Sequence, residues 1–334
     1  MKIKIFNKWI GNKSSTIIVA EAGLNHNGSI KIAKKLIQKA KSCGADAVKF
    51  QTFKARDLTS TKSKFYKVFQ KLEFDNNEFA ELSDYSKSQG IFFFSTPFSF
   101  EAVDLLNNIK VSAFKIASGD LTNIPLIKYA AMKRKPIILS TGMGNIEEIK
   151  AALDTVYSVA NKKIVLMHSI SAYPPPINEV NLKAIQKMKE IFKVPIGFSD
   201  NGSDMLVPLI SCSIGAEMIE KHFTLSHKMT GPDHKASANP LQFKEMVKKI
   251  RIIEKMFGDG EKHCQKSELD NRINARRSLT ANINIEKGSI LTKEIVGLKR
   301  PATGIEPKFF ERVIGRRAIH SIEAEQSINW KDIK

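Results

Sequence analysis

The sequence predicts an α/β protein in which a (β/α)8 barrel, or TIM barrel, precedes a small, mostly β module. The first observation is a series of eight short runs of apolar, β-branched residues, separated by amphipathic segments. The second is that each run is nearly continuous in apolar residues, as in strands buried on both faces of a parallel sheet. The third is that polar side chains end every run, as they do around the mouth of such a barrel.

The eight predicted strands and the helices between them form one barrel domain over residues 1–257. The strands are expected at 16–23, 46–52, 91–98, 113–120, 136–142, 163–170, 194–201 and 216–224. Helical spacing is clearest at 30–43, where apolar residues lie on one face and lysines on the other. A doubly wound sheet is the alternative, but no Gly-x-Gly-x-x-Gly follows the first strand and the polar residues are not confined to one switch point.

The pattern changes after residue 257. Residues 258–278 are polar and without a clear period, which predicts a linker with some helix. Residues 279–334 show short β-like segments at 279–283, 290–291 and 296–300, with a turn at 285–288. This predicts a separate small β domain.

Composition excludes several classes of protein. Hydrophobic residues make up 42% and charged residues 26% of the 334, which is typical of a globular chain. No apolar run approaches the ~18 residues of a membrane span, and lysines interrupt the first residues too often for a signal peptide. Three widely spaced cysteines, Cys43, Cys212 and Cys264, indicate a reducing compartment. We expect a cytoplasmic protein with no membrane partner.

The net charge of +19 raises the question of nucleic-acid binding. Only 10 of the 53 basic residues are arginine, the residue that forks onto phosphates and bases, and the lysines are scattered. We therefore interpret the charge as a solvated surface that also favours anionic substrates, and we predict no nucleic-acid partner.

Polar residues at the predicted strand ends form the candidate site. They are Glu21, Lys49, Gln51, Ser95, Thr96, Lys115, Ser118, Asp120, Ser140, Thr141, His168, Ser171, Ser199, Asp200, Asn201, Glu220 and His222, and the loops add Asn25, His26, Asn27, Tyr173, Asp233 and His234. Lys49 and Lys115 interrupt apolar strands, where an unpaired ammonium is costly. With the surrounding hydroxyls they indicate an anion site for phosphate or carboxylate. Two alternatives are buried ion pairs with Glu21 or Asp120 and a Schiff-base lysine.

His222 ends the eighth predicted strand and could bind a divalent metal together with water or a carboxylate. The alternative is a histidine that forms hydrogen bonds at the barrel rim.

Eight strings, in order on the predicted strands, carry a resemblance to a known family. They are Val-Ala-Glu-Ala-Gly-Leu-Asn-His-Asn-Gly (19–28), Val-Lys-Phe-Gln-Thr (48–52), Phe-Ser-Thr-Pro-Phe (94–98), Phe-Lys-Ile-Ala-Ser-Gly-Asp (114–120), Leu-Ser-Thr-Gly-Met (139–143), Gly-Phe-Ser-Asp (197–200), Glu-Lys-His-Phe-Thr (220–224) and Gly-Pro-Asp-His-Lys-Ala-Ser (231–237). The chain resembles the bacterial sialic acid synthase family, which includes legionaminic and pseudaminic acid synthases. The tail, with Leu-Lys-Arg-Pro (298–301) and Gly-Arg-Arg (315–317), is similar to the family's antifreeze-like (SAF) domain.

The resemblance implies a carbon–carbon bond-forming transferase. Such enzymes condense phosphoenolpyruvate with an N-acetylated aldose such as N-acetylmannosamine, use Mn or Mg, and release phosphate. It implies a domain-swapped homodimer in which Arg300 reaches the sugar bound by the partner subunit. The resemblance further implies that phosphoenolpyruvate is bound by Lys49, Thr96, Lys115, Ser118, Ser140, Ser171 and Ser199. The sugar would be bound by Gln51, Asp120, Tyr173 and Asp233, and the metal by His222, with Glu21 at the metal side. The implied catalytic residues are Glu21, Lys49, Lys115 and Asp233.

The sequence departs from the family pattern at three positions. Asn201 stands where a second metal-binding histidine is usual, Ser171 where asparagine is frequent, and Asp120 where glutamate is usual. An amide oxygen can bind a hard cation, but it is a weaker ligand for Mn than imidazole. The 231–237 string is more similar to the neuraminic and legionaminic branches than to the pseudaminic one.

Three functions follow as alternatives. The first is the sialic acid synthase reaction, with either Glu21 or Asp233 orienting or deprotonating water; its variant uses a di-N-acetylated sugar, as legionaminic and pseudaminic acid synthases do. The second is another phosphoenolpyruvate-dependent barrel synthase that acts on a phosphorylated sugar. The third, motivated by Asn201, is a degenerate sugar-binding relative without catalysis.

Overall fold

The computed structural model describes residues 2–11 and 14–334. The chain divides into two compact units, one ending at Gly258 and the other spanning Asp259–Lys334. Residues 1, 12 and 13 of the predicted barrel domain lie outside the described residues. The predicted linker, 258–278, contains a short helix and falls almost entirely within the second unit.

The first unit begins with a β-hairpin that the sequence analysis did not predict. Strands β1 (Ile3–Ile5) and β2 (Lys8–Ile10) pair antiparallel around Phe6 and Asn7, which have φ angles of 53° and 56°. Positive φ at both central residues is the geometry of the two-residue turn that matches strand twist. Phe6 is buried and stacks on Phe92, with ring centroids 5.4 Å apart. The hairpin thus closes the floor of the barrel.

Eight parallel strands form the closed barrel, in the spatial order β10-β3-β4-β5-β6-β7-β8-β9. They are β3 (Ile17–Gly23), β4 (Ala47–Thr52), β5 (Phe92–Pro97), β6 (Phe114–Ile116), β7 (Ile137–Ser140), β8 (Ile164–Ser169), β9 (Ile196–Asp200) and β10 (Met218–His222). Each strand pairs with the next one along the chain, and β10 pairs with β3 to close the barrel. The prediction of a (β/α)8 barrel is confirmed.

Helices cover the outside of the barrel. They are α1 (Ile30–Ser42), α2 (Ala55–Leu58), α3 (Tyr66–Gln70), α4 (Asn76–Ser88), α5 (Phe100–Asn108), α6 (Ile124–Met132), α7 (Ile146–Ser158), α8 (Lys183–Phe192), α9 (Leu206–Ser213) and α10 (Pro240–Met256). In α1 the buried residues Ala33, Leu36, Ile37 and Ala40 follow the predicted apolar face, and Ser29 caps its first turn. No helix within the described residues is long and apolar enough to cross a membrane.

The second unit is a small β structure with its own core. Helix α11 (Leu269–Ala275) precedes strands β11 (Ser278–Ala281) and β12 (Val296–Lys299), which pair antiparallel, and α12 (Phe310–Val313) follows. Buried side chains such as Leu279, Leu291 and Ile328 form a core separate from that of the barrel. The small β module is thereby confirmed.

Two predicted strands differ from the structure. The strand expected at 113–120 ends at Ile116, and Ser118–Asp120 form a 3-10 turn, because the backbone N–H of Asp120 bonds back to the carbonyl of Ala117. The β-like segment expected at 290–291 is shorter than a strand: Ile290 forms an isolated antiparallel bridge with Arg317.

Candidate active site

One inward-facing polar side chain from each barrel strand forms a single layer below the mouth. The eight are Glu21, Lys49, Thr96, Lys115, Ser140, Ser169, Ser199 and Glu220, and all line one cavity. Successive strand residues alternate between the two faces, so the inward residues toward the N-terminal ends, such as Val19 and Met218, form the apolar core that packs on the hairpin. Each strand is thus apolar toward its start and polar toward its carboxyl end.

The cavity has a volume of about 380 Å³ and opens at the carboxyl ends of the strands. Residues two positions beyond the polar layer, namely Gln51, Ser171, Asn201 and His222, line it nearer the mouth. A larger cavity, of about 610 Å³, lies beside the N-terminal hairpin and is lined by none of the predicted site residues. The smaller cavity is therefore the candidate active site, because it contains the predicted site residues.

Lys49 is the centre of a buried ion-pair network. Its Nζ lies 2.9 Å from Glu21 Oε2 and 3.5 Å from Glu220 Oε1, and it donates to Thr96 Oγ1 at 3.2 Å. Burial alone would lower the pKa of Lys49, but the two carboxylates outweigh it and raise that pKa. Burial raises the pKa of Glu21 against the opposing attraction of Lys49. Lys49 is therefore held in its charged form.

Lys115 is buried in the same layer, but its charge has fewer carboxylate partners than that of Lys49. Its Nζ donates to Ser140 Oγ at 2.7 Å and lies 3.5 Å from Glu220 Oε1. Burial lowers the pKa of Lys115 to about 8, despite the attraction of Glu220. For Glu220, attraction to the two lysines outweighs burial and lowers its pKa to about 2. A bound anion could therefore provide a further charged partner for the Lys115 ammonium group.

The predicted hydroxyl groups converge where a glycine makes room for them. A Cβ on Gly142 would lie 2.4 Å from Ser171 Oγ and 2.8 Å from Ser118 Oγ, so a side chain there would displace these two hydroxyl groups. The backbone N–H of Gly142 donates to Ser118 Oγ at 3.1 Å. Ser118 and Ser171 thus approach each other over Gly142, and both line the cavity that contains the two lysines.

The residues expected near a metal offer two donor atoms. His222 Nδ1 is buried and has no hydrogen-bond partner within the described residues. The amide nitrogen of Asn201 donates to Ile170 O at 2.8 Å and to Ser169 Oγ at 3.3 Å, which leaves its oxygen available to a cation. No group of three or more His, Cys, Asp or Glu among residues 2–11 and 14–334 is arranged for a metal. Both residues line the same cavity, so one nitrogen and one oxygen donor could bind a divalent cation there together with water or substrate.

Of the five residues predicted to bind sugar, Gln51 and Tyr173 line the cavity, Asp233 lies beside Gln51, and the other two lie elsewhere. A Cβ on Gly23 would be 3.6 Å from Gln51 Nε2 and 3.5 Å from Asp233 Oδ2, so these two side chains meet over that glycine. The ring of Tyr173 packs edge-on against His222, with centroids 5.8 Å apart. Asp120 accepts from Asn123 Nδ2 at 2.9 Å and does not line the cavity, and Arg300 belongs to the second unit.

Four strand-end residues expected at the mouth face away from it, because each occupies the opposite phase of its strand. His168 Nε2 contacts Val180 O at 2.9 Å, and Asp200 Oδ2 pairs with the buried Lys221 at 2.6 Å. The other two are Ser95, which bonds to Thr52, and Thr141, which bonds to Met167 O. The expectation that these residues line the mouth was wrong.

The structure adds Ser169 to the candidate site and gives specific contacts to Glu220, which was already expected there. Ser169 donates to Ser199 O at 3.0 Å, and Glu220 accepts from Ser199 Oγ at 3.1 Å. Glu220 was expected at the mouth but received no role. The alternation of inward residues, which pairs Glu220 with His222 two positions later, could have identified it.

Comparisons with known proteins agree on the family. Residues 36–262 match the NeuB family, and residues 276–334 match the SAF domain. The chain is 47% identical over 332 residues to an uncharacterised protein of Methanocaldococcus jannaschii, with 99% of this chain and 98% of that protein covered. It is 44% identical to the N,N'-diacetyllegionaminic acid synthase of Campylobacter jejuni, covering 94% of this chain and 98% of the relative.

Among solved structures, the N-acetylneuraminic acid (sialic acid) synthetase of Leptospira borgpetersenii, in complex with citrate, matches with a TM-score of 0.78 and 34% identity. The match covers 81% of this chain and 95% of that one. These similarities span both units of the chain, and seven of the eight strings that predicted the family overlap strands that form the polar layer, whereas the string at 231–237 lies in the loop after β10. The chain therefore belongs to the NeuB family of sialic, legionaminic and pseudaminic acid synthases, with a SAF domain at its C-terminal end.

Proposed function

We propose that this protein condenses phosphoenolpyruvate with an N-acetylated aldose and releases phosphate. One observation carries the proposal: two lysines and several hydroxyls converge in the cavity at the carboxyl ends of the barrel strands. Ammonium and hydroxyl donors held in a buried site suit a compound that carries both a phosphate and a carboxylate.

In this reaction a carbon–carbon bond forms between C3 of phosphoenolpyruvate and the aldehyde carbon of the open-chain sugar, whose oxygen takes up a proton. Water then adds at C2 and gives up a proton, and the C2–O bond breaks to release phosphate. Lys49, Lys115, Ser140 and Ser199 would bind the anionic oxygens through these steps, since they are fixed before substrate arrives. Each such donor is often worth about 3 kcal/mol to the transition state.

The group that handles the water proton is Glu21 or Asp233. Both carboxylates approach Gly23, and Gln51 Nε2 donates to Glu21 Oε1 at 3.3 Å. Burial raises the pKa of Glu21, the direction that favours uptake of a proton by this carboxylate. The same region would bind the sugar through Gln51 and Asp233.

A divalent cation, Mg or Mn, would be held by His222 Nδ1 and the amide oxygen of Asn201. Bound there, it would supply Lewis-acid polarisation of the sugar aldehyde. Tyr173 would hold the imidazole of His222 in place through their edge-on contact.

A second candidate is a di-N-acetylated sugar as the acceptor, as in legionaminic acid synthesis. Two observations favour it. The relative named as a legionaminic acid synthase is 44% identical to the chain, and the apolar side chains of Phe98 and Met143 line the cavity. Such side chains suit a sugar that carries acyl or deoxy groups in place of hydroxyls.

We further propose that two copies of the chain act together, with Arg300 of each C-terminal unit reaching the sugar in the partner's barrel. A β module of about 60 residues has a small core and gains stability by docking. The cytoplasmic location expected from the sequence stays a prediction.

Phosphate release tests the proposal. Purified protein with phosphoenolpyruvate and Mg or Mn is given N-acetylmannosamine, a 2,4-diacetamido-trideoxyhexose, or a phosphorylated aldose, and inorganic phosphate is measured. Release with either acetamido sugar supports the synthase, and their kcat/KM ratio separates the two candidates. Release with the phosphorylated sugar alone would replace the proposal by the other barrel synthase, and no release would favour a degenerate relative.

A further inference from the structure

Glu220 is chemically unexpected in this cavity, because its negatively charged carboxylate should repel the anionic substrate that the two lysines would bind. We propose that Glu220 is a positioning residue whose carboxylate sets the spacing of the Lys49 and Lys115 ammonium groups that a phosphate-bearing substrate needs. This inference rests on the proposed function, because it concerns phosphoenolpyruvate in the same cavity.

A single carboxylate oxygen links three of the predicted substrate-binding groups. Glu220 Oε1 lies 3.5 Å from Lys49 Nζ and 3.5 Å from Lys115 Nζ, and it accepts a hydrogen bond from Ser199 Oγ at 3.1 Å. The two ammonium groups can therefore be no more than twice 3.5 Å, or 7 Å, apart. All three donors come from different strands, so one acceptor fixes their relative positions.

The two lysines depend on Glu220 to different degrees. Lys49 has a second carboxylate partner, Glu21, at 2.9 Å. For Lys115, Glu220 is the one acidic partner within the described residues, and Ser140 is its neutral partner. Two like charges repel strongly in a buried site, and each ammonium is carried on a flexible four-carbon chain. Without the shared carboxylate, Lys115 would be the ammonium that moves or loses its proton.

Two other roles for Glu220 predict different behaviour. If the carboxylate only repelled substrate, for example to speed phosphate release, its removal would tighten phosphoenolpyruvate binding. If it only stabilised the fold, its removal would lower stability and leave the affinity of the folded protein unchanged. A positioning role predicts weaker phosphoenolpyruvate binding when the carboxylate is removed, whereas the other two roles predict tighter or unchanged binding.

The test compares three full-length variants with the wild type, using phosphoenolpyruvate as the calorimetric titrant and phosphate release as the kinetic readout. Glu220→Gln keeps the shape and removes the charge, and we expect the Kd and KM for phosphoenolpyruvate to rise about 10- to 100-fold, the loss typical of a bond to a charged group. Glu220→Asp keeps the charge but moves the carboxylate oxygen away from the lysines, and it should raise the Kd and KM for phosphoenolpyruvate by a smaller factor. The matched control is Glu217→Gln, because Glu217 pairs with the half-exposed Lys189 and does not line the cavity.

The outcomes distinguish the inference from the function on which it rests. Wild-type protein that neither binds phosphoenolpyruvate nor releases phosphate overturns both. Wild-type binding with equal or tighter binding by folded Glu220→Gln overturns the positioning role alone. If Glu220→Gln does not fold, Glu220→Asp decides, since an unchanged Kd in that variant contradicts a role that depends on where the oxygen lies.

Discussion

Replacing the two cavity lysines by methionine should abolish the same activity while changing stability very differently. Lys49→Met removes the partner of Glu21 at 2.9 Å and of Glu220 at 3.5 Å. A buried ion pair that loses one member typically costs about 3–5 kcal/mol of unfolding free energy. We therefore expect Lys49→Met to fold with a stability lowered by about that amount and to lose phosphate release.

Lys115→Met should lower the free energy of unfolding far less than Lys49→Met does. Its pKa falls from the ordinary 10.5 to about 8, so at neutral pH the charged side chain opposes folding by about 3 kcal/mol at 1.36 kcal/mol per pKa unit. That penalty is already net of the attraction to Glu220, so methionine removes it. The loss that opposes this gain is one ammonium neighbour of the buried Glu220 carboxylate, which keeps Lys49 and Ser199 as partners. The free energy of unfolding should therefore fall by less than in Lys49→Met, while phosphate release is lost.

The pH dependence gives an independent check. Because the folded pKa of Lys115 lies below the unfolded value, the unfolded chain binds more protons between pH 8 and 10.5, and Lys115 makes stability rise with pH across that window. Urea unfolding at pH 7.5 and 9.5 should show a larger rise in stability for the wild type than for Lys115→Met. Lys187→Met is the control and should keep the wild-type rise, since the exposed Lys187 pairs with Glu190 at 3.8 Å and does not line the cavity.

Lys115→Met could instead lose as much stability as Lys49→Met, with the folded fraction of each variant releasing phosphate at the wild-type rate. That result would mean that both lysines serve only as structural ion pairs.

Three further predictions concern other parts of the proposed site. Asn201→His should tighten Mn²⁺ binding roughly tenfold, measured as loss of the free-ion EPR signal, and an unchanged Kd would contradict the metal assignment. Gly142→Ala should raise the KM for phosphoenolpyruvate, because its Cβ would displace Ser118 and Ser171; normal kinetics in the folded variant would argue against their role. Arg300→Ala should raise the KM for the sugar more than that for phosphoenolpyruvate, and sedimentation of the wild type should show a dimer; a fully active monomer would refute the shared site.

The sequence predicted the barrel well because buried parallel strands leave a strong local signal. Runs such as Ile-Ile-Val-Ala at 17–20 are apolar on both faces, and the predicted strand at 16–23 differs from β3 by one residue. The N-terminal hairpin was missed because its strands have three residues each and alternate with lysines. The segment at 113–120 was predicted too long, because a 3-10 turn after Ile116 has no apolar signature of its own.

The candidate site was predictable only as far as strand phase could be assigned. Lys49 and Lys115 were identified because a charge inside an apolar strand is unusual whichever way it points. His168 and Asp200 were misassigned because a polar residue next to a strand end can face either the cavity or the helices, and the choice depends on register. The role of Glu220 could not be predicted, since it arises from contacts with residues more than 100 positions away, such as Lys115.

The hairpin that closes the barrel floor has a consequence for the order of events in catalysis. With the floor sealed by Phe6 and its neighbours, every reactant must enter and leave through the mouth. The lysine layer lies deeper than Gln51 and His222, so a sugar seated at the mouth would block access to the layer beneath it. Steady-state kinetics should therefore be sequential and ordered, with phosphoenolpyruvate adding first, and an unreactive sugar analogue should inhibit uncompetitively against phosphoenolpyruvate.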